Sequence, residues 1–158
     1  MTATDEQVPE APGDVPLRAR GWGIPVAITA TSLLFGGLHL LNPNAEWLGA
    51  LNIALSAAVW TMGMLWFRSL WFPIGWHAAW NFAQFFVAGL PNSGISAESM
   101  GLQGTTLFIT NLSGPRLLTG GEFGMEASLV DTVVLAVIFI GILWFSTARK
   151  NALENPVD

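Results

Sequence analysis

Three polar side chains lie inside one long apolar run, residues 71–89, and their spacing places them on one side of a helix. His77, Asn81 and Gln84 stand at positions i, i+4 and i+7, which share a helix face. Histidine exchanges a proton near neutral pH, and an asparagine amide is an uncharged hydrogen-bond donor. Polar groups within an apolar span are costly unless they pair or face a cavity, so this stripe predicts a functional site.

His39, the only other histidine in the chain, lies in another apolar run, residues 23–41. A histidine can take a proton from water, and an asparagine amide can donate a hydrogen bond to a developing oxyanion. On straight helices that alternate across a bilayer, His39 is expected about 24 Å and His77 about 9 Å from one membrane surface. Helix tilt or a deeper start of one helix would bring them together, so the sequence leaves their meeting open.

The composition predicts an integral membrane protein, because 52% of the 158 residues are hydrophobic and only 11% are charged. Four apolar runs of roughly bilayer length are found at residues 23–41, 46–67, 71–89 and 128–147. The predicted fold class is therefore an all-α membrane protein, a bundle of about four transmembrane helices. Residues 90–127 are predicted to form a partly ordered loop that packs on the bundle between the third and fourth helices.

Charge and proline content divide the chain into three predicted regions. Residues 1–20 are predicted to be a disordered, acidic and proline-rich tail, residues 21–148 the transmembrane domain, and residues 149–158 a C-terminal tail. If the four spans alternate, five of the six Lys and Arg residues share one side, which predicts that both termini are cytoplasmic. The formal net charge of −5 leaves no basic face for nucleic acid, and the lipid bilayer is the predicted partner.

Two pentapeptides carry a resemblance to a known family. Phe35 to His39 reads FGGLH and His77 to Asn81 reads HAAWN, and these resemble the FxxxH and HxxxN signatures of the CPBP (Abi) intramembrane proteases. That family comprises the type II CAAX prenyl endopeptidases and bacterial relatives such as bacteriocin-immunity proteins. The run GGEFGMEASL, residues 120–129, is also similar to the family, and the resemblance extends over roughly residues 20–147.

The resemblance implies an intramembrane endopeptidase that hydrolyses a peptide bond near the membrane with water activated by glutamate and histidine. It implies that His39 and His77 bind and activate the water and that Asn81 stabilises the oxyanion, with Phe35 and Gln84 in supporting roles. A prenylated or hydrophobic peptide is the implied substrate, and the plasma membrane of a bacterium the implied location. A divalent metal, zinc, is a candidate cofactor with His39 and His77 as its candidate ligands.

The first signature of that family, EExxxR, is not found before the FxxxH motif. The nearest text begins at Asp5, but Glu10 stands where the arginine is required, and Pro9 and Pro12 exclude a membrane helix. The chain is therefore expected to be an N-terminally shortened member that corresponds to the C-terminal half of the domain. Because catalytic zinc takes three protein ligands, a carboxylate would have to complete the set, from Glu46, Glu122, Glu126 or Asp131.

Other interpretations of these residues stay open. The chain could be a non-catalytic membrane protein of the same fold that binds a lipid, a prenyl group or a peptide, or, more remotely, a bis-histidine haem protein. Glu122 and Glu126 are expected to be solvated loop charges. Asp131 is expected to be a carboxylate in the first turn of a helix, where it faces the positive end of the helix dipole.

Overall fold

The structure is a computed structural model that describes residues 23–154 of the chain. The predicted tail at residues 1–20 and the last four residues, 155–158, lie outside the described residues. Within residues 23–154 there are α-helices, 3-10 and π turns and no strand, which confirms the predicted all-α fold for this part. The α-helices are α1 (Gly23–Leu38), α2 (Trp47–Phe67), α3 (Trp71–Phe82), α4 (Arg116–Thr119) and α5 (Leu129–Glu154).

Two helical segments are long and apolar enough to cross a membrane, judged by length and composition. One is Gly23–Leu41, in which α1 passes into a 3-10 turn at His39–Leu41, and the other is α2. Leu129–Phe145 within α5 is a shorter apolar helix. α2 ends where Arg68 adopts a left-handed conformation, with φ 52°, and its N–H bonds to the Met64 carbonyl, the usual geometry of a helix C-terminus.

Helices α1 and α2 approach closely at a glycine. Gly36 is buried, and a β-carbon built there would overlap the Ala50 carbonyl oxygen and lie 2.7 Å from the Ala54 β-carbon. Small residues allow this approach, as is common between membrane helices. The contact holds the end of α1, and therefore His39, against α2.

Helix α3 changes its winding along its length. Pro73 lies in its first turn, where a missing N–H is tolerated. After Phe82 the helix continues as a π turn, Ala83–Val87, a form of winding that is frequent at functional sites. α3 packs against α2 where the Phe72 ring covers Gly63 so closely that a β-carbon at Gly63 would overlap it.

The long connection between the π turn and α5 folds back onto the helices. Phe123 is fully buried and, with Ile53 and Ala127, forms a core cluster between the connection and α2. The Phe123 carbonyl accepts a 2.7 Å hydrogen bond from the Gly94 N–H, and the Asn42 side chain donates to the Ser93 carbonyl at 3.0 Å. These bonds fix both ends of the connection near the end of α1.

The start of α5 is fixed by side chains from two elements. The Ser128 hydroxyl accepts the Asp131 N–H at 3.1 Å, as a helix N-cap does. Asn52 of α2, which is 2% exposed, donates to the carbonyls of Glu126 at 2.7 Å and Ser128 at 2.9 Å. Its own side-chain oxygen accepts the Thr132 hydroxyl at 2.8 Å. The chain around residue 126 therefore has a defined position beside α2.

Candidate active site

His39 and His77 line one cavity of about 50 Å³ between α1, α2, α3 and α5. Asn81 lines the same cavity, so the two pentapeptides singled out in the sequence come together in space. A water molecule needs roughly 10–15 Å³ of such space, so this cavity has room for water. The sequence left open whether the two histidines lie close together, and in the structure both line this cavity.

Two aromatic rings hold the histidines in position. The Trp60 ring of α2 stacks on His77, with the ring centres 4.7 Å apart and the planes at 26°. The Phe35 ring lies 4.8 Å from His39 and meets His77 edge-on at 5.9 Å. Because Phe35 contacts both imidazoles, it couples their orientations. Side chains locked in this way are a requirement of a preorganised site.

One hydrogen bond determines which ring nitrogen of His39 carries the hydrogen. Its Nδ1 atom lies 2.8 Å from the Phe35 carbonyl oxygen, which can only accept a hydrogen bond. Nδ1 therefore carries the hydrogen, and in the neutral ring Nε2 carries the lone pair. A neutral imidazole with one free nitrogen can accept a proton from water.

The polar stripe of α3 connects the cavity to a buried carboxyl. His77 and Asn81 line the cavity, while Gln84, at the start of the π turn, is 5% exposed. The Gln84 amide donates to the Pro91 carbonyl at 2.5 Å and to the Glu126 carboxyl at 2.6 Å. The supporting role predicted for Gln84 stays a prediction, and its contact is with Glu126.

Glu126 is not the solvated loop charge that the sequence suggested, and that prediction is wrong. Its side chain is 6% exposed and lines the cavity, and Ser93 donates both its N–H and its hydroxyl to it at 3.2 Å. Burial raises the pKa of Glu126 above its ordinary value, although the hydrogen bonds from Gln84 and Ser93 lower it in part. The error arose because the glycine-rich connection folds inward, bringing Glu126 to α3.

The other three carboxylates considered in the sequence have different surroundings. Asp131 is 6% exposed and lines the cavity from the first turn of α5, the turn in which it was expected. Glu46 forms an ion pair with Arg116, outside the cavity. Glu122 is exposed. Two of the four carboxylates, Glu126 and Asp131, therefore reach the histidine cavity.

The described residues do not fit a zinc site with three protein ligands. No group of three or more His, Asp or Glu side chains between residues 23 and 154 is arranged to hold a metal ion. Among the described residues, no carboxylate is therefore arranged with His39 and His77 as a third zinc ligand.

Trp60 and Ser93 are among the cavity residues that the reasoning from sequence missed. Trp60 follows Asn52 and Ser56 at four-residue spacing on α2, a signal that could have placed it on the same face. Its buried indole N–H has no acceptor among the described residues. Ser93 lies in an irregular segment, where no periodicity indicates direction.

Part of the chain matches the model of a known protein family. No curated protein and no solved structure matches the chain. Residues 15–83, which contain both histidine motifs, match the family described as Type II CAAX prenyl endopeptidase Rce1-like. The resemblance read from the two pentapeptides is confirmed over this segment, and the chain is similar there to the type II CAAX prenyl endopeptidases.

Proposed function

We propose that the protein is an intramembrane endopeptidase of the CAAX-processing type, which hydrolyses a prenylated or hydrophobic peptide at the cavity between His39 and His77. The observation that carries the proposal is that His39, His77 and Asn81, from two separate helical segments, line one cavity. The match of residues 15–83 to the type II CAAX prenyl endopeptidases supports the same activity. The protein's surroundings are then a lipid bilayer, which four apolar helical segments cross, with both termini in the cytoplasm.

In the proposed reaction, His39 and His77 bind the attacking water and Asn81 stabilises the oxyanion. Water bound between the histidines loses a proton towards a base and attacks the carbonyl carbon of the peptide bond. The Nε2 lone pair of His39, left free by the bond to Phe35, orients that water. The Asn81 amide donates to the oxyanion of the tetrahedral intermediate, where a donor in a water-poor cavity is worth more than in bulk water.

Hydrolysis by the purified protein tests the proposal. The protein in lipid nanodiscs is incubated with a fluorogenic prenylated peptide and with the same peptide lacking the prenyl group. We expect cleavage that falls by about 100-fold or more in His77→Ala and Asn81→Ala, since groups that position the water and groups that stabilise the oxyanion each contribute on that scale. Both variants are expected to keep the wild-type melting temperature within a few degrees, which separates a catalytic role from a structural one.

A matched control comes from the surface of α3. Phe82, which is 60% exposed, lies next to Asn81, and Phe82→Leu is expected to cleave at the wild-type rate. Wild-type protein that cleaves no peptide, or His77→Ala protein that cleaves as fast as the wild type, would contradict the proposal.

A second candidate, binding without hydrolysis, is favoured by an apolar groove beside the cavity. The groove has a volume of about 570 Å³, and Trp76 and Ile138 line both it and the cavity. Phe72 of α3 and Trp144 of α5 also line the groove, and such a surface suits a hydrocarbon chain. A prenylated peptide that binds with micromolar affinity but is never cleaved would favour this candidate.

The remote bis-histidine haem hypothesis has no support in the geometry. The Phe35 ring lies 4.8 Å from His39 and 5.9 Å from His77, so a protein side chain contacts both imidazoles. Trp60 also covers one face of the His77 ring.

A further inference from the structure

Glu126 is a buried carboxyl at the histidine cavity for which the proposed reaction has no role so far. It comes from the 3-10 turn Met125–Ala127, just before α5, and not from either histidine motif. Its backbone is held by Asn52, and its side chain is held by Gln84 and Ser93. A charged group buried in this way is destabilising unless it is paired and hydrogen-bonded, and otherwise it tends to take up a proton.

The hydrogen bonds of Glu126 leave one site open. A carboxylate has two oxygens with about two lone-pair positions each. Oε1 accepts two hydrogen bonds, from the Ser93 N–H and hydroxyl, whereas Oε2 accepts one, from Gln84. Oε2 therefore keeps one lone-pair position that accepts no hydrogen bond from the described residues.

The groups that face Glu126 across the cavity favour a proton-transfer role. His39 of the turn after α1, His77 of α3 and Asp131 of α5 are the titratable residues that line the same cavity. The ordinary pKa of a glutamate is too low for an efficient base at neutral pH, and burial raises the pKa of Glu126 towards the working range. The position of Glu126 at the cavity and the raised pKa of its carboxyl both favour a role in proton transfer.

We propose that Glu126, held in place by Gln84 and Ser93, is the carboxyl that exchanges protons with the attacking water in this cavity. This inference rests on the proposed peptidase function. It assigns the general base of that reaction to a residue outside the two histidine motifs. Gln84 is then a positioning residue, which acts on the reaction through Glu126.

The proton balance of the step is complete with these groups. As the water oxygen bonds to the peptide carbonyl carbon, one water proton passes to Glu126 Oε2. The tetrahedral intermediate then collapses, the carbon–nitrogen bond breaks, and the amine nitrogen takes the proton from the Glu126 carboxylic acid. The products are a carboxyl group and an amine, and Glu126 returns to the carboxylate form.

Glu126→Gln tests the proposal, because it keeps the size of the side chain and one acceptor oxygen but cannot take up the proton. We expect kcat for a fluorogenic prenylated peptide to fall about 100- to 10,000-fold, the usual contribution of a general base, with KM changed less than about threefold. Glu122→Gln, in the same segment but exposed, is the matched control and is expected to keep the wild-type kcat. Glu126→Asp is expected to recover part of the activity, since it restores a carboxyl.

The pH profile gives a second test that a structural role would not pass. The Gln84 hydrogen bond favours the charged carboxyl, so Gln84→Met is expected to raise the pKa of Glu126 and to move the acid limb of kcat to higher pH. Because this test uses the Gln84→Met variant, it can be carried out even if Glu126→Gln protein does not fold.

The outcomes separate this inference from the function on which it rests. Cleavage that is lost in His77→Ala but kept in Glu126→Gln would overturn the role of Glu126 alone. An acid limb at the wild-type pH in Gln84→Met would also overturn it. Wild-type protein without any cleavage would overturn both the peptidase function and the role of Glu126.

Discussion

The carbonyl oxygen of Phe35 lies 2.8 Å from the Nδ1 atom of His39, and the Phe35 ring contacts both that histidine and His77. The backbone of one residue thus fixes the hydrogen position on His39, while its side chain fixes the relative orientation of both imidazoles. These two functions can be separated by mutation.

Phe35→Leu keeps the carbonyl oxygen and removes the aromatic contact. We expect the His39 tautomer to be unchanged and kcat to fall about 10- to 100-fold, because small displacements of reacting groups have effects of that size. Since the chain has only two histidines, ¹⁵N spectra of the imidazoles report the tautomer directly. A wild-type kcat, or loss of the Nδ1-protonated form of His39, would contradict this assignment.

The close contact of α1 with α2 predicts opposite effects at two neighbouring glycines. A β-carbon at Gly36 overlaps the Ala50 backbone, whereas one at Gly37 meets nothing within 4 Å. Gly36→Ala is expected to destabilise the fold by about 1–3 kcal/mol through overpacking. Gly37→Ala is expected to stabilise it by about 0.5–1 kcal/mol, because alanine favours a helix over glycine. Denaturation of the two variants in detergent measures both, and equal effects would argue against the contact.

The apolar helices were predictable because local signals define them. The sequence predicted spans at residues 23–41 and 46–67, and the structure has Gly23–Leu41 and Trp47–Phe67 as its two long apolar segments. Asn42 and Pro43 separate them, and neither continues a helix readily. Continuous apolar runs with such ends need no tertiary information. The predicted total of about four membrane helices stays a prediction.

The candidate site was only half predictable. His39, His77 and Asn81 were found because each motif has helical spacing within one segment. Glu126 was placed wrongly, because its burial depends on contacts with Gln84 and Ser93, which are distant in sequence. Irregular, glycine-containing segments carry no hydrophobic period from which such contacts can be read. The resemblance of GGEFGMEASL to the family was the one signal at this position.

Asn52 is predicted to be the most important polar side chain for the stability of the site. Asn52→Leu removes the donor to two buried carbonyls, those of Glu126 and Ser128. Since each unsatisfied buried group costs about 1–3 kcal/mol, we expect a loss of roughly 2–4 kcal/mol. Thr132→Val, which removes one bond to Asn52 and one to Ser128, is the milder comparison. A smaller loss in Asn52→Leu than in Thr132→Val would contradict the bridging role.

Glu126 predicts how the stability of the protein depends on pH. Its pKa in the folded state is raised above the ordinary value of 4.5, chiefly by burial, so the folded state binds a proton more tightly than the unfolded state. The resulting stabilisation is complete below the unfolded pKa and is lost as the pH rises through the folded pKa. We expect the melting temperature of the wild-type protein to fall across that range.

Glu126→Gln should remove this part of the pH dependence, because a glutamine stays neutral at every pH. Its melting temperature is expected to exceed that of the wild type on the alkaline side and to approach it on the acid side. The other titratable groups of the cavity, His39, His77 and Asp131, are present in both proteins and contribute to both curves. Glu122→Gln, at an exposed position, is expected to follow the wild-type curve. If the melting temperatures of Glu126→Gln and wild-type protein depend on pH in the same way over the whole range, Glu126 is not the group that binds a proton more tightly in the folded state.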